Sequence, residues 1–215
     1  MTVPLAPNDR RRIWIALNHW AATGSVVALR TRAVTALAAD SGLRANEVVK
    51  LDVCQVLERA DSFVIASRAY LRPDQAKGGD RGAGPFEVSA RARAAIRAYL
   101  RAAVARGWLQ WPAAERTPLF LGHRGRAGAA GHGRLSKRSA QHSWYALQRR
   151  AGIVEPYGFH SLRHDSATRM RAAGADVLDV ADHLRLRSLE HVNRYVHRID
   201  AAARATELVS RAARL

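Results

Sequence analysis

Two histidines and an arginine lie close together in the stretch GFHSLRHDSATRM, residues 158–170, where a turn leads into a predicted helix. The imidazoles of His160 and His164 could move protons, and the guanidinium of Arg163 could hold an anionic group with permanently charged, forked donors. The pattern alone proves little. Only three of the 35 basic residues are lysine, which leaves 32 arginines, and a His-x-x-Arg pair occurs three times where chance gives about one.

The net charge of the chain points to a polyanionic partner. Lys and Arg number 35 against 18 Asp and Glu, so the formal charge is +17. Such a surface attracts phosphate backbones by releasing their counterions, which makes double-stranded DNA the leading candidate. An anionic membrane is the weaker candidate, because no apolar run approaches the ~20 residues that span a bilayer. The single cysteine, Cys54, excludes an internal disulfide and a cysteine-rich zinc site.

Patterning along the chain predicts a mainly helical protein. A helix over residues 26–39 should end at Ser41-Gly42, and a shorter helix should follow in LRANEVVKL. Caps at Ser89, Ser136 and Asp176 begin further helices, which should extend to about residues 106, 150 and 186. The remaining predicted helices are 161–173, 188–197 and 201–214.

Short β-rich runs interrupt the helices. DVCQVLE and SFVIASR, residues 52–58 and 62–68, suggest a hairpin, and PFEVS, residues 85–89, suggests a third strand after a loop rich in Gly and Pro. A glycine-rich connector occupies residues 122–134. The expected fold class is therefore α+β, mainly α-helical with one small antiparallel β-sheet.

Four stretches together carry residues suited to one reaction. SGLRANEVVKLDV contains Arg44 and Glu47, and AKGGDRGAGPFEVS places Lys77 in a Gly-rich turn between strands. FHSLRHDSATRM supplies His160, Arg163 and His164, and SLEHVNRYVHRI supplies Tyr195.

These stretches resemble the tyrosine recombinase (phage integrase) family. Its first arginine lies in a Gly-Leu-Arg-x-x-Glu context, matched by Gly42 to Glu47, and its second in His-x-Leu-Arg-His, matched from His160 to His164. The family's nucleophilic tyrosine usually follows the second arginine by 32 positions, which is Tyr195 here. The resemblance covers about residues 26–198 and implies the catalytic-domain fold of that family.

The resemblance implies a role for each matched residue. Arg44 and Arg163 would clamp the non-bridging oxygens of a phosphodiester, Tyr195 would attack it and form a 3′-phosphotyrosyl intermediate, and Lys77 would protonate the leaving 5′-oxygen. His160 would contact the phosphate or assist proton transfer, with Glu47 and His164 in support. No metal and no cofactor is implied.

One position departs from the family pattern. The family usually has His or Trp nine residues before the tyrosine, in a Leu-Gly-His context, whereas the same register here is Leu184-Arg185-Leu186. Leu186 cannot donate a hydrogen bond, and His183, about one helical turn away, could replace it only if the helix is displaced. Three arginines of this stretch, Arg185, Arg187 and Arg194, are equally compatible with a solvated helix face and with contact to DNA phosphates.

The expected domain organisation follows from the resemblance. Residues 1–25 are an N-terminal arm or short helix, 26–198 the catalytic domain, and 199–215 a C-terminal helix that packs on its own domain or docks on a neighbouring protomer. No separate N-terminal core-binding domain is expected.

The function expected from these residues is site-specific DNA recombination. One alternative is a catalytically weakened, recombinase-like protein that binds DNA or regulates another recombinase, and a topoisomerase-like relaxase fits the motifs less well. Expected partners are DNA, further copies of the chain in a tetramer, and an accessory protein or partner recombinase, but no membrane. The expected location is the bacterial cytoplasm, on the nucleoid or a plasmid.

Overall fold

A long helix that is buried on almost every side, Val26–Ser41, lies at the centre of the fold. The structure is a computed structural model that describes residues 3–122 and 132–186. Helices pack around this element, and a short hairpin lies beside its C-terminal end. In chain order the α-helices and strands are α1 (Pro7–Ala22), α2 (Val26–Ser41), α3 (Ala45–Lys50), β1 (Arg68–Leu71), β2 (Gly84–Glu87), α4 (Ala90–Ala105), α5 (Lys137–Arg150), α6 (Ser161–Ala172) and α7 (Val177–His183).

The expected fold class is confirmed. Helix dominates the described residues, and β1 and β2 form a two-stranded antiparallel sheet in which Arg68 pairs with Glu87 and Leu71 with Gly84. Side chains alternate along β1, so that Ala69 and Leu71 face the core. The hairpin is thereby fixed to the protein on one face.

Small side chains allow α2 to be surrounded by other helices. Twelve of its sixteen residues are buried, many of them alanine, so α1, α4 and α6 can approach its backbone closely. Ile13 and Leu17 bring α1 into this same core. The predicted end of α2 is confirmed, because Gly42 follows it with a left-handed φ of 61°.

The predicted helix caps are confirmed. The side-chain oxygens of Ser89, Ser136 and Asp176 each accept a hydrogen bond from the backbone N–H three residues later, at 3.1, 3.0 and 2.8 Å. Each bond satisfies an N–H group that the first turn of a helix leaves unpaired.

The predicted hairpin over residues 52–68 is wrong. Residues Val53–Gln55 form a 3-10 helix, and only an isolated bridge between Leu57 and Ile65 joins the two runs. The side chain of Gln55 explains this, since it accepts from the Asp52 N–H at 2.8 Å and donates to the Tyr70 carbonyl at 2.7 Å. These side-chain bonds replace a strand ladder, and the sheet forms between β1 and β2 instead.

The last described helix ends earlier than predicted. The sequence suggested a helix to about residue 186, but α7 ends at His183, and Arg185 has a left-handed φ of 53°. The predicted helices 188–197 and 201–214, and most of the glycine-rich connector, lie outside the described residues. No helix in the described ranges is long and apolar enough to cross a membrane.

Candidate active site

Glu47 holds the first predicted arginine in place. Its side chain is fully buried, with one carboxylate oxygen accepting from the Arg44 backbone N–H and the other from the Arg44 guanidinium, both at 2.8 Å. Arg44 is the N-cap residue of α3, so the carboxylate closes that helix end as well. Burial alone would raise the pKa of Glu47, but the hydrogen bonds and charge of Arg44 bring it below its ordinary value. Glu47 is therefore ionised at neutral pH.

The turn between β1 and β2 brings Lys77 to the same carboxylate. Lys77 is exposed, and its backbone N–H lies 3.5 Å from Glu47 Oε1. Gly78 and Gly79 follow with φ values of 97° and 59°. Residues that carry a side chain rarely adopt such values, so the two glycines make this turn possible. Lys77 thus lies in a hairpin turn beside α3, as the sequence predicted.

His160 lies at the start of α6, where the charges of other predicted site residues act on its ring. Although the residue is exposed, protein groups around its ring desolvate it, and the charges of Arg163, Arg44 and Lys77 act in the same direction. Together they lower the pKa of His160 against the opposing effect of Glu47. The ring of His164 packs edge-on against it, with centroids 4.8 Å apart. His160 is consequently neutral at neutral pH and able to accept a proton.

Arg163 is buried where two chain segments meet. Its guanidinium donates to the carbonyl oxygen of Gly42 and to that of Leu184, both at 2.5 Å. The turn after α2 and the end of α7 are thereby joined through one side chain. Four of the predicted catalytic residues, Arg44, Lys77, His160 and Arg163, come together in this region.

His183 lies outside this group. Its Nε2 is 2.8 Å from the hydroxyl of Ser166, and its ring packs against Gly42. Burial, followed by the charges of Arg185 and Arg163, lowers its pKa to about 4. In this position the ring supports the α6–α7 packing.

Leu186 and Tyr195 are the two remaining predicted site positions. The Leu186 N–H donates to the Ala181 carbonyl at 2.8 Å, and its side chain packs on a small apolar cluster that includes Val180. Tyr195 lies outside the described residues.

Arg185 belongs to the site, although the sequence did not single it out. The residue is only 8% exposed, and its Nη2 lies 3.8 Å from Glu47 Oε2. A solvated helix face is therefore wrong for Arg185. No signal in the sequence separated it from the other arginines, apart from its place where the family usually has glycine.

The arrangement is suited to an anion. The charges of Arg163, Arg44 and Lys77 all act on neutral His160, and the ionised Glu47 carboxylate holds the Arg44 guanidinium beside it. No group of three His, Cys, Asp or Glu side chains in residues 3–122 and 132–186 is placed to hold a metal ion.

Comparison with known proteins identifies close sequence relatives among bacterial recombinases. Tyrosine recombinase XerD of Mycobacterium leprae (strain TN) is 36% identical over 158 residues, which cover 69% of this chain and 42% of that protein. Tyrosine recombinase XerC of Rhodospirillum centenum (strain ATCC 51521 / SW) is 30% identical over 169 residues, 79% of this chain and 42% of that protein. The chain spans less than half the length of these two relatives.

Solved structures share the fold. The crystal structure of XerA recombinase superimposes with a TM-score of 0.69 at 21% identity, covering 98% of this chain and 64% of that one. XerH site-specific recombinase, bound to its palindromic difH substrate in a post-cleavage complex, gives a TM-score of 0.64 at 18% identity, with 95% and 52% coverage.

A protein-family model matches most of the chain. The model described as the phage integrase family matches residues 7–201, which include all four motif stretches. The match extends through α1 and through the described site. The chain therefore belongs to the phage integrase family, the tyrosine recombinases.

Proposed function

We propose that this protein is a site-specific DNA recombinase that cleaves and rejoins strands through a 3′-phosphotyrosyl intermediate. The observation that supports this most strongly is the convergence of the charges of Arg44, Lys77 and Arg163 on His160, with Glu47 holding Arg44. A module that only binds DNA needs positive charge, but it does not need this combination of groups around one histidine.

The two arginines stabilise the charge that develops on the phosphate. In-line attack on a phosphodiester places extra negative charge on the non-bridging oxygens, and preorganised guanidinium donors stabilise that charge more in the transition state than in the ground state. Arg44 is preorganised by Glu47, and Arg163 by two backbone carbonyls. Their donors need little reorganisation during the reaction.

The nucleophile in this proposal is Tyr195. Its phenolic oxygen attacks phosphorus and forms the new P–O bond while the bond to the 5′-oxygen breaks. Neutral His160 accepts the phenolic proton or contacts the phosphate, and Lys77 gives a proton to the leaving oxygen. His164, packed against His160, orients its ring. Because the phosphotyrosyl linkage conserves the bond energy, religation requires neither nucleotide nor metal.

The assembly and location are also proposals. The charge of +17 favours a DNA duplex as partner, and structures of similar fold include a recombinase bound to its DNA substrate. We propose that residues 26–198 form the catalytic unit, that residues 199–215 dock on a neighbouring protomer in a DNA-bound tetramer, and that the protein acts in the bacterial cytoplasm on nucleoid or plasmid DNA. An accessory protein or a partner recombinase would supply further contacts to the DNA.

A second function is favoured by one observation. Leu186 packs in an apolar cluster and offers no hydrogen-bond donor where the family usually has one. A catalytically weakened protein that binds DNA or regulates another recombinase would tolerate this change.

A covalent-adduct assay separates the two functions. The protein is incubated, without added metal, with nicked suicide substrates from a library of the DNA that flanks its own gene, and denaturation-resistant protein–DNA bands are sought. A band that disappears in Tyr195→Phe and persists in Tyr145→Phe, a matched change on α5, supports the recombinase. Tight binding to the same DNA without a band in the wild type supports the second function. A band that survives Tyr195→Phe removes Tyr195 as the nucleophile.

A further inference from the structure

Arg185 directs a guanidinium toward the buried side of the Arg44–Glu47 pair. Its φ of 53° turns the chain inward after Leu184, in a conformation that costs a residue other than glycine free energy. Its Cδ lies 4.0 Å from the place that a Cβ on Gly84 would occupy, and its guanidinium carbon lies 6.0 Å from the centre of the Phe86 ring. The side chain therefore reaches both α3 and β2.

The guanidinium is buried and incompletely paired. Its side chain is 4% exposed, and Nη1 donates to the His183 carbonyl at 3.1 Å and the Ser41 carbonyl at 3.5 Å. Nε and Nη2 are buried and have no acceptor in the described part of the chain. Glu47 Oε2, at 3.8 Å from Nη2, is too far for a hydrogen bond. Unpaired buried donors and left-handed backbone both cost stability, and such costs concentrate at functional sites.

The charges around Glu47 do not balance. The carboxylate is shared between Arg44 and Arg185, so that one negative charge faces two positive ones. Screening by water is weak at a buried position, and the excess charge acts over several ångströms. An anion bound beside Arg44 would complete the pairing.

The neighbouring residue shows what Arg185 could replace. In the family pattern a glycine at this position is followed by a donor side chain, whereas here Leu186 follows and packs on the apolar cluster of α6 and α7. The donor has been lost at one position, and a guanidinium has been gained at the position before it.

We propose that Arg185 is a positioning residue of the phosphate site, which holds the Glu47–Arg44 pair and adds a positive charge beside it. This inference rests on the proposed function, because its effect is on the scissile phosphate. Arg185 acts by holding Glu47 and through the electrostatic field of its own guanidinium. That field stabilises the negative charge that develops on the non-bridging oxygens of the phosphate.

The central test is a compensating double change. Arg185→Gly suits the left-handed backbone and removes the charge, and we expect the single-turnover rate of adduct formation to fall about 10- to 100-fold, less than or comparable to the loss of a direct oxyanion donor. Arg185→Lys should retain more activity than Arg185→Gly. Restoring the family pair in Arg185→Gly/Leu186→His should recover at least about tenfold in rate, whereas Leu186→His in the wild type should gain only a few-fold.

Controls separate this role from a general effect of charge. Arg59→Gln removes an equal charge from an exposed side chain and should leave the rate within about twofold of the wild type. DNA affinity should change by a few-fold at most in Arg185→Gly, because one charge of many is lost. An unchanged rate in Arg185→Gly overturns the inference, as does a double variant that folds and is as slow as the single one.

Two further measurements do not depend on the glycine variant, and the second of them does not depend on cleavage. With a methylphosphonate at the scissile position, which removes one negative charge, the rate loss in Arg185→Met should be at least about fivefold smaller than on ordinary DNA. Equal losses on both substrates overturn the inference. At constant ionic strength, inorganic phosphate should raise the unfolding midpoint of the wild type more than that of Arg185→Met, and equal shifts overturn it.

The phosphate measurement also separates this inference from the proposed function. If the wild type forms no adduct but phosphate stabilises it through Arg185, recombinase activity fails while the anion site stands. If the adduct forms and Arg185 affects neither rate nor phosphate response, the inference alone fails.

Discussion

Replacing Glu47 by glutamine should destabilise the protein strongly, because it removes a buried charge that two arginines share. The carboxylate accepts two hydrogen bonds from Arg44 and faces the Arg185 guanidinium at 3.8 Å. Removing one partner of a buried ion pair costs about 3–5 kcal/mol, and we expect about 3 because glutamine keeps one acceptor oxygen. At about 2–4 °C per kcal/mol for a chain of this size, the unfolding midpoint should fall by about 6–12 °C.

The pH dependence of that difference identifies its electrostatic origin. Despite its burial, the pKa of Glu47 in the folded protein is below the ordinary value of 4.5, so its contribution to the free energy of unfolding is present above pH 4.5. The contribution disappears as pH falls through the folded pKa. Urea titrations of both proteins at pH 7 and at descending pH should therefore show the wild type approaching Glu47→Gln in acid.

An exposed ion pair provides the matched control. Glu87 pairs with Arg68 at 2.7 Å, but both side chains are largely exposed, at 60% and 70%. Glu87→Gln should cost less than about 1 kcal/mol. A loss in Glu47→Gln no larger than this, or a difference from the wild type that persists unchanged in acid, would refute the role of Glu47 as the organising charge.

Three further predictions concern the same region. In urea titrations, Gly42→Ala should have a free energy of unfolding about 1–3 kcal/mol lower than Gly107→Ala. Both glycines have positive φ, but of the two only Gly42 has a side chain where the new Cβ would lie, at 2.6 Å from Leu184. Burial and nearby arginines lower the pKa of His183 to about 4, so the unfolded chain binds this proton more readily than the folded protein does, and the free energy of unfolding falls between pH 6.5 and 4. In urea titrations, His183→Gln should remove this part of the decrease, so that the wild type loses about 2 kcal/mol more than the variant by pH 5. The dissociation constant for DNA should rise steeply with salt in a binding titration, and a flat response would contradict the role assigned to the charge of +17.

The features that local sequence determines were predictable. Gly42 ends α2 because the chain there needs a left-handed residue, and Ser89, Ser136 and Asp176 begin helices because their oxygens reach nearby N–H groups. The motif contexts also identified Arg44, Lys77, His160 and Arg163, which the fold brings into one region.

The features that depend on distant partners were not predictable. The run beginning at Asp52 has the composition of a strand, but its buried carboxylate binds Arg72 and Arg134, and Gln55 bonds across to Tyr70. These partners lie 15 to 82 residues away in the chain, so no local pattern contains them. Arg185 was ambiguous for the same reason, because its burial depends on α3 and β2.

The acceptors of the arginines explain how a chain with 32 of them builds one specific site. Arg163 and Arg185 both donate to carbonyls at the C-terminal end of α2, those of Gly42 and Ser41 respectively. A carbonyl holds a guanidinium in place without contributing a negative charge. In an ion pair such as Arg68–Glu87, by contrast, the carboxylate neutralises the charge of the arginine. The backbone at the end of α2 therefore helps to fix two cations and does not itself neutralise either of them. In the recombinase that we propose, that backbone is, as much as any side chain, the element that positions the phosphate-binding arginines.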